Sequence, residues 1–268
     1  GFRPGDDVRK CMFTREIFFN QLPVEYQQKL KDVIADYSEY DDPDENSKVV
    51  LVEYYDMEEY ILAGLYERRP FNSCNDITID KKGRIYFSDP RYVGHEPLDQ
   101  PSMAVYRIDT DGSIDRIIVD ACKPNGVAVS PDQKTLYVVS NDNGATGSGR
   151  LPKDAPMHKG RMALLAYDLH RNGSATFRKV LVDYNPEDGP DGLVCDVDGN
   201  IYVAERNEKR PGIAVRDPDG KELGFIPTEV PTNVGFGRGK DANLLYITAG
   251  KSLYSIRLNT KGYHLPAN

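Results

Sequence analysis

The sequence predicts an all-β protein built as a β-propeller, and three observations carry that expectation. Four stretches repeat one pattern: Cys74-Asn75-Asp76-Ile77-Thr78-Ile79-Asp80, Pro124-Asn125-Gly126-Val127-Ala128-Val129-Ser130, Pro190-Asp191-Gly192-Leu193-Val194-Cys195-Asp196 and Thr232-Asn233-Val234-Gly235-Phe236-Gly237. Each runs through a polar turn into an apolar strand that contains Tyr86, Tyr137, Tyr202 or Tyr246. The offsets from Asn75, Asn125, Asp191 and Asn233 to those tyrosines are 11, 12, 11 and 13 residues. Further strand-forming runs between the repeats give each unit about four short antiparallel strands, the content of one propeller blade.

Ahead of the repeats the chain reads differently. Leu22, Tyr26, Leu30, Val33, Ile34 and Tyr37 fall on one side of a 3.6-residue period and Pro23 suits a first helical turn, so residues 22–37 read as an amphipathic helix in an atypical N-terminal segment, 1–48. The runs 49–55 and 60–63 read as two strands that complete a blade upstream of Asn75 and open the propeller domain, 49–268. Asp80-Lys81-Lys82-Gly83, Asp109-Thr110-Asp111-Gly112, Asp196-Val197-Asp198-Gly199 and Asp217-Pro218-Asp219-Gly220 are turn chemistry, because Asp and Gly accept the positive φ that tight hairpins demand. The repeats are 50, 66 and 42 residues apart, and the long interval is explained by a surface loop over 141–158. A second loop, 89–97, leaves the strand end of the first repeat; loops on a rigid β scaffold often carry specificity. Asp89 and Glu205 read as solvated strand ends, and the repeated tyrosines as packing residues.

Composition narrows the function. With 39% apolar and 28% charged residues over 268 positions, the chain suits a soluble globular protein, cytoplasmic in the first instance, with a removed signal peptide left open. No 18-residue apolar run argues for a membrane span, and a net charge of −8 argues against a nucleic-acid partner. Cys11, Cys74, Cys122 and Cys195 are widely separated and are expected as free thiols, while His95, His158, His170 and His264 are too scattered for a zinc centre.

An Asn or Asp beside Gly or Pro is in most proteins only a turn residue. Four in register on strands that converge on a channel instead place oxygen donors around one point. Oxygen donors without sulfur or imidazole suit a hard cation such as calcium or magnesium. Arg91, Tyr92 and His95, on the loop after Asp89, read either as plain surface loop residues or as residues that could bind an anionic or hydroxylated substrate.

From about Val49 onward the sequence resembles the senescence-marker protein/gluconolactonase family, also called regucalcin-like, and within it bacterial lactonase-type members. The resemblance is carried by Phe71-Asn72-Ser73-Cys74-Asn75-Asp76 before Gly83-Arg84-Ile85-Tyr86-Phe87-Ser88-Asp89-Pro90, by Pro124-Asn125-Gly126-Val127-Ala128-Val129-Ser130-Pro131-Asp132, and by Gly189-Pro190-Asp191-Gly192, with support from the stretch around Asn233. It implies a six-bladed propeller, here with the first blade or two atypical or incomplete, and a divalent cation in the central pocket: usually calcium, with magnesium, manganese or zinc as alternatives. On the matching positions, Asn125 resembles the family's amide ligand, Asp191 its carboxylate ligand, and Asn75 an Asn that touches metal or substrate; Asn233 receives a weaker, substrate-side role.

The resemblance further implies a metal-dependent hydrolase that opens a small sugar-type lactone, with Asp191 the best candidate for the base. One departure stands out: the family's first-blade Glu, in a Glu-Gly-Pro motif, is found nowhere in this sequence. Glu16 or Glu25 is a possible substitute, another chain is a second, and a crippled site is a third. A phosphotriesterase-like hydrolase on the same scaffold and a non-catalytic ligand- or protein-binding propeller are the rival readings.

Overall fold

The structure is a computed structural model that describes residues 49–52, 59–92, 98–144 and 159–265. The expected helix at 22–37, Glu16, Glu25 and His95 lie outside the described residues, as does most of the 141–158 loop.

Four successive antiparallel meanders form the repeat. The first blade comprises β5 (Ile77–Ile79), β6 (Ile85–Asp89), β7 (Ala104–Ile108) and β8 (Ile114–Ile118); the second β9 (Pro124–Val129), β10 (Thr135–Asn141), β11 (Met162–Leu169) and β12 (Ala175–Asp183). The third has β13 (Leu193–Cys195), β14 (Ile201–Glu205), β15 (Gly212–Arg216) and β16 (Glu222–Pro227), and the fourth has three strands, β17 (Pro231–Phe236), β18 (Leu244–Ala249) and β19 (Ser252–Arg257). The first strands of successive blades adjoin one another, β5 to β9, β9 to β13 and β13 to β17, as in a propeller whose inner strands ring an axis. β6, β9, β10 and β14 are buried throughout, whereas every residue of β19 is exposed.

The expected six-bladed type is corrected to four blades among the described residues. Upstream of the first marker the described chain supplies only two ribbons, β1 (Val49–Val52) with β2 (Glu59–Ala63) and β3 (Leu65–Tyr66) with β4 (Arg69–Pro70). Leu62 and Ala63 of β2 nonetheless pack on Phe87, Ala104 and Tyr106 of the first blade, so this ribbon covers the face that a preceding blade would cover.

The repeated tyrosines cement neighbouring blades. Tyr86 is buried among Val127, Val129 and Leu165 of the second blade, Tyr137 among Leu193 and Val203 of the third, and Tyr202 among Val234 and Phe236 of the fourth. The hairpin turns behave as their composition demands. The Asp80 carboxylate accepts the Lys82 and Arg84 N–H groups while Gly83 takes φ +79°, and Asp196 accepts those of Asp198 and Asn200 while Gly199 takes φ +89°. Among the described residues Cys74, Cys122 and Cys195 form no disulfide.

Candidate functional site

A β-bulge in each inner strand positions the marker residues. In the first blade the Asn75 N–H donates to Ser88 O at 2.8 Å and Asp76 O accepts the Ser88 N–H at 3.0 Å; in the third the Asp191 N–H donates to Ala204 O and Gly192 O accepts the Ala204 N–H, both at 2.9 Å. Two residues thus face one across the ladder, and the register shifts at the same place in β9 and β17. A bulge re-aims one side chain out of strand alternation.

The register also shows which residues are equivalent. Tyr86, Tyr137, Tyr202 and Tyr246 pair with Thr78, Ala128, Val194 and Gly235. Three residues earlier stand Asn75, Asn125, Asp191 and Thr232. Asn233 is therefore one place out of register with the other three markers and corresponds to Asp76, Gly126 and Gly192. It behaves like Asp76: Asn233 Oδ1 accepts the Val234 N–H at 2.8 Å just as Asp76 Oδ1 accepts the Ile77 N–H at 2.9 Å. The expectation that Asn233 shares the others' position is corrected: the bulge is common to all four blades, but the turn 237–243 between β17 and β18 is longer than its counterparts 80–84, 130–134 and 196–200 and disguises the offset to Tyr246, so the equivalent position falls on Thr232.

Asn125 and Asp191 meet. The Asn125 amide stands beside the Asp191 carboxylate and the Tyr92 hydroxyl and favours the ionised form of each. Inner strands approach closely enough because both markers are followed by glycine: a Cβ on Gly126 would lie 2.5 Å from Asp191 O, and one on Gly192 2.1 Å from Asn233 Oδ1. Ser88 Oγ donates to Asn125 O at 2.6 Å, and Asp76 Oδ2 accepts the Val127 N–H at 2.9 Å, so the first blade fixes the backbone on either side of Gly126. On the other flank, Asn141 Nδ2 donates to Gly189 O and Pro190 O at 3.1 and 3.0 Å and sets the turn that delivers Asp191.

Burial pushes the Asp191 carboxyl up to about 6; Arg206 and the Asn125 hydrogen bond oppose that rise and the Asp76 charge adds to it. Arg206 Nη1 stands 2.9 Å from Asp191 Oδ2. Tyr92 closes the same corner. Its hydroxyl donates to Asn141 O at 3.2 Å, the Lys123 ammonium lies 4.6 Å from its ring centroid, and burial together with the Asp191 charge holds it well above the ordinary tyrosine value. Lys123 is itself buried, and that desolvation lowers its pKa.

The remaining sequence candidates lie around this pair. Asn75 is half-buried at the first bulge. Arg91 is buried, its Nε donating to Asn72 O at 3.0 Å with a guanidinium nitrogen 3.8 Å from Asp99, so it anchors the loop that carries Tyr92. Asp89 and Glu205 are corrected from solvated strand ends to buried carboxylates. Asp89 accepts the Asn72 and Ser73 N–H groups at 2.9 and 2.8 Å; Glu205 accepts Tyr184 Oη and pairs with Arg216. Sequence reasoning overlooked Arg206, Lys123 and Asn141. The available signal was a charged or amide residue at the edge of an otherwise apolar strand.

The geometry defines a class: a propeller whose inner-strand bulges gather an amide, a carboxylate and a phenol between adjacent blades. The chain belongs to the family described as the SMP-30/Gluconolactonase/LRE-like region, which matches residues 44–251. It is 30% identical over 218 residues to a gluconolactonase of Zymomonas mobilis, covering 75% of this chain and 55% of that protein. It is 29% identical over 178 residues to a pentonolactonase of Haloferax volcanii, covering 65% and 52%. The chain thus spans about half the length of these two relatives. A solved gluconolactonase from Xanthomonas campestris superposes with a TM-score of 0.63 at 26% identity, covering 81% of this chain and 66% of that one.

Proposed function

We propose that this chain is a divalent-metal-dependent hydrolase that opens a sugar-type lactone at the Asn125–Asp191 corner. The observation that supports the reading is that two oxygen-bearing markers 66 residues apart in sequence stand close enough, at bulges of neighbouring inner strands, for the Asn125 amide to favour the ionised Asp191 carboxylate. The lactonase names of the relatives supply the reaction class.

The donor chemistry fits a hard cation. Asp191 offers a desolvated carboxylate, Asn125 an amide, and beside their turn Asn141 Oδ1 is buried without a hydrogen-bond partner among the described residues. Those residues hold no cluster of three His, Cys, Asp or Glu side chains, so the described part of the site contributes amides and one carboxylate rather than an acidic cage. Asp191 and Asn125 would hold calcium, with Asn75 at its edge. Bound there, the ion would act as a Lewis acid on the lactone carbonyl.

The chain's own residues do the rest. Asp191 is the candidate base that takes a proton from water as the water oxygen bonds to the carbonyl carbon. The ring C–O bond then breaks and the proton passes to the departing alkoxide, which leaves a hydroxy acid. Asn125 would orient the carboxylate, and Asn75 is the candidate to hold a ring hydroxyl of the sugar. Tyr92, buried beside Asp191, would shield the carboxylate from bulk water, and Arg91 anchors the loop that carries it.

The test is titration of acid release from a panel of aldono-γ- and δ-lactones with and without calcium. Asp191→Ala should lower kcat about 100-fold or more with the circular dichroism unchanged. Calcium binding without turnover of any lactone by the wild type would leave a binding propeller as the better description.

A further inference from the structure

Asp191 already has a cation beside it. Arg206 follows the last residue of β14, its Nη1 lies 2.9 Å from Asp191 Oδ2 and 3.4 Å from Pro231 O, and it therefore bridges the start of β13 to the start of β17. The adjacent carboxylate, Glu205, is matched to Arg216 at 2.5 Å, so the charge of Arg206 serves Asp191. The side chains of Arg206 and Asp191 are 32% and 23% exposed, so both groups of the pair are partly open to water and the guanidinium has a path to leave.

A guanidinium and a divalent cation seek the same carboxylate lone pairs. Both cannot occupy Oδ2, and two positive centres a few ångströms apart in a partly desolvated site repel each other strongly. We propose that Arg206 is a resident counter-ion that competes with the divalent cation for Asp191 and sets the concentration at which the site loads. The proposal rests on the metal reading above. In the metal-free protein Arg206 spares the carboxylate from standing uncompensated. Loading the cation requires the guanidinium to leave Oδ2, so the observed affinity is lower than the oxygen donors alone would give.

The experiment is calorimetric titration of calcium into the full chain and into Arg206→Gln, Arg206→Ala and Arg206→Lys, each checked for fold by circular dichroism. The Gln variant keeps much of the side chain's bulk and guards against a collapse caused by truncation alone. The two neutral variants should bind calcium about tenfold more tightly than the wild type, and the Lys variant should stay close to it. Clear calcium binding with equal or weaker affinity in the neutral variants overturns the role of Arg206 and leaves the metal reading standing. No calcium binding by any of the four proteins overturns both.

Discussion

Asp89 and Asp191 are both carboxylates taken out of water, yet the fold holds them by opposite means. Asp89 ends β6 with both oxygens committed to backbone, accepting the Asn72 and Ser73 N–H groups, and it is fully buried. Asp191 stands at a bulge ahead of β13, and the partners that reach its carboxylate are side chains, Asn125 and Arg206. Burial lifts both, Asp89 to about 7 and Asp191 to about 6. A carboxylate tied to main chain cannot change partners without unfolding a turn, whereas one held by side chains can exchange them at the cost of rotamer changes. The first arrangement is architecture and the second is suited to chemistry, although the sequence writes the two with the same residue.

The largest effect should come from Asp89→Ala. It leaves two buried N–H groups without acceptors, at about 1–3 kcal/mol each, so denaturant unfolding should show a loss of several kcal/mol. The wild type should also report the group through pH. The proton sits on folded Asp89 up to about pH 7 but leaves the unfolded chain near the ordinary 3.8, so the folded state binds more protons across that window. Stability therefore falls as pH rises from about 4 to 7 and levels off above it. The groups facing Asp89 are Arg91, which favours its charged form, Asp99, which opposes it, and the Cys74 thiol and Tyr106 hydroxyl, whose own pKa values are raised. Asp89→Asn should flatten that slope in unfolding midpoints measured from pH 4 to 8; an unchanged slope would show that Asp89 is not its source.

How far the sequence reaches is visible in the same two residues. The repeat, the turns and the tyrosine cement are local patterns with short-range physics, so the Asp80–Gly83 turn and the Tyr86 strand could be read directly. Asn125 and Asp191 were legible because a polar residue beside Gly recurs at fixed spacing. Asp89 was not: a charge that ends a strand looks the same whether water or two main-chain N–H groups receive it, and only the fold of 72–73 over β6 decides. Arg206 was illegible for a similar reason, because its partner lies in another strand of its blade and no spacing announces the pair.

Bringing Asp191 against Asn125 depends on a backbone contact, which Gly126→Ala should break. The added Cβ would meet Asp191 O and Leu193 Cδ2, each at 2.5 Å, and the first of these is main chain that cannot rotate away. Overpacking of this kind costs about 1–3 kcal/mol, a smaller loss than at Asp89, but here it should also draw Asp191 off Asn125 and lower lactone turnover. Gly192→Ala makes the useful control, since its Cβ meets mainly the Asn233 side chain. If Gly192→Ala proved as damaging to turnover as Gly126→Ala, close approach of β9 and β13 would not be what forms the site.

Asn233→Ala should have the smallest effect, and it tests the register itself. By spacing alone Asn233 looks like the fourth member of the ring, but the longer turn after β17 disguises the register: Thr232 holds that position and Asn233 is equivalent to Asp76, its Oδ1 spent on the Val234 N–H. Removing it should cost about 1 kcal/mol for a part-buried hydrogen bond. Turnover should stay within about twofold of the wild type, while Asn125→Ala, which strips the partner that orients Asp191, should fall by about tenfold or more. The decisive quantity is the ratio of the two variants' kcat values on one lactone, because a general loss of stability would move both. A ratio near one would mean that Asn233 reaches the substrate despite its main-chain bond, and that one-residue register does not divide pocket from scaffold in this propeller.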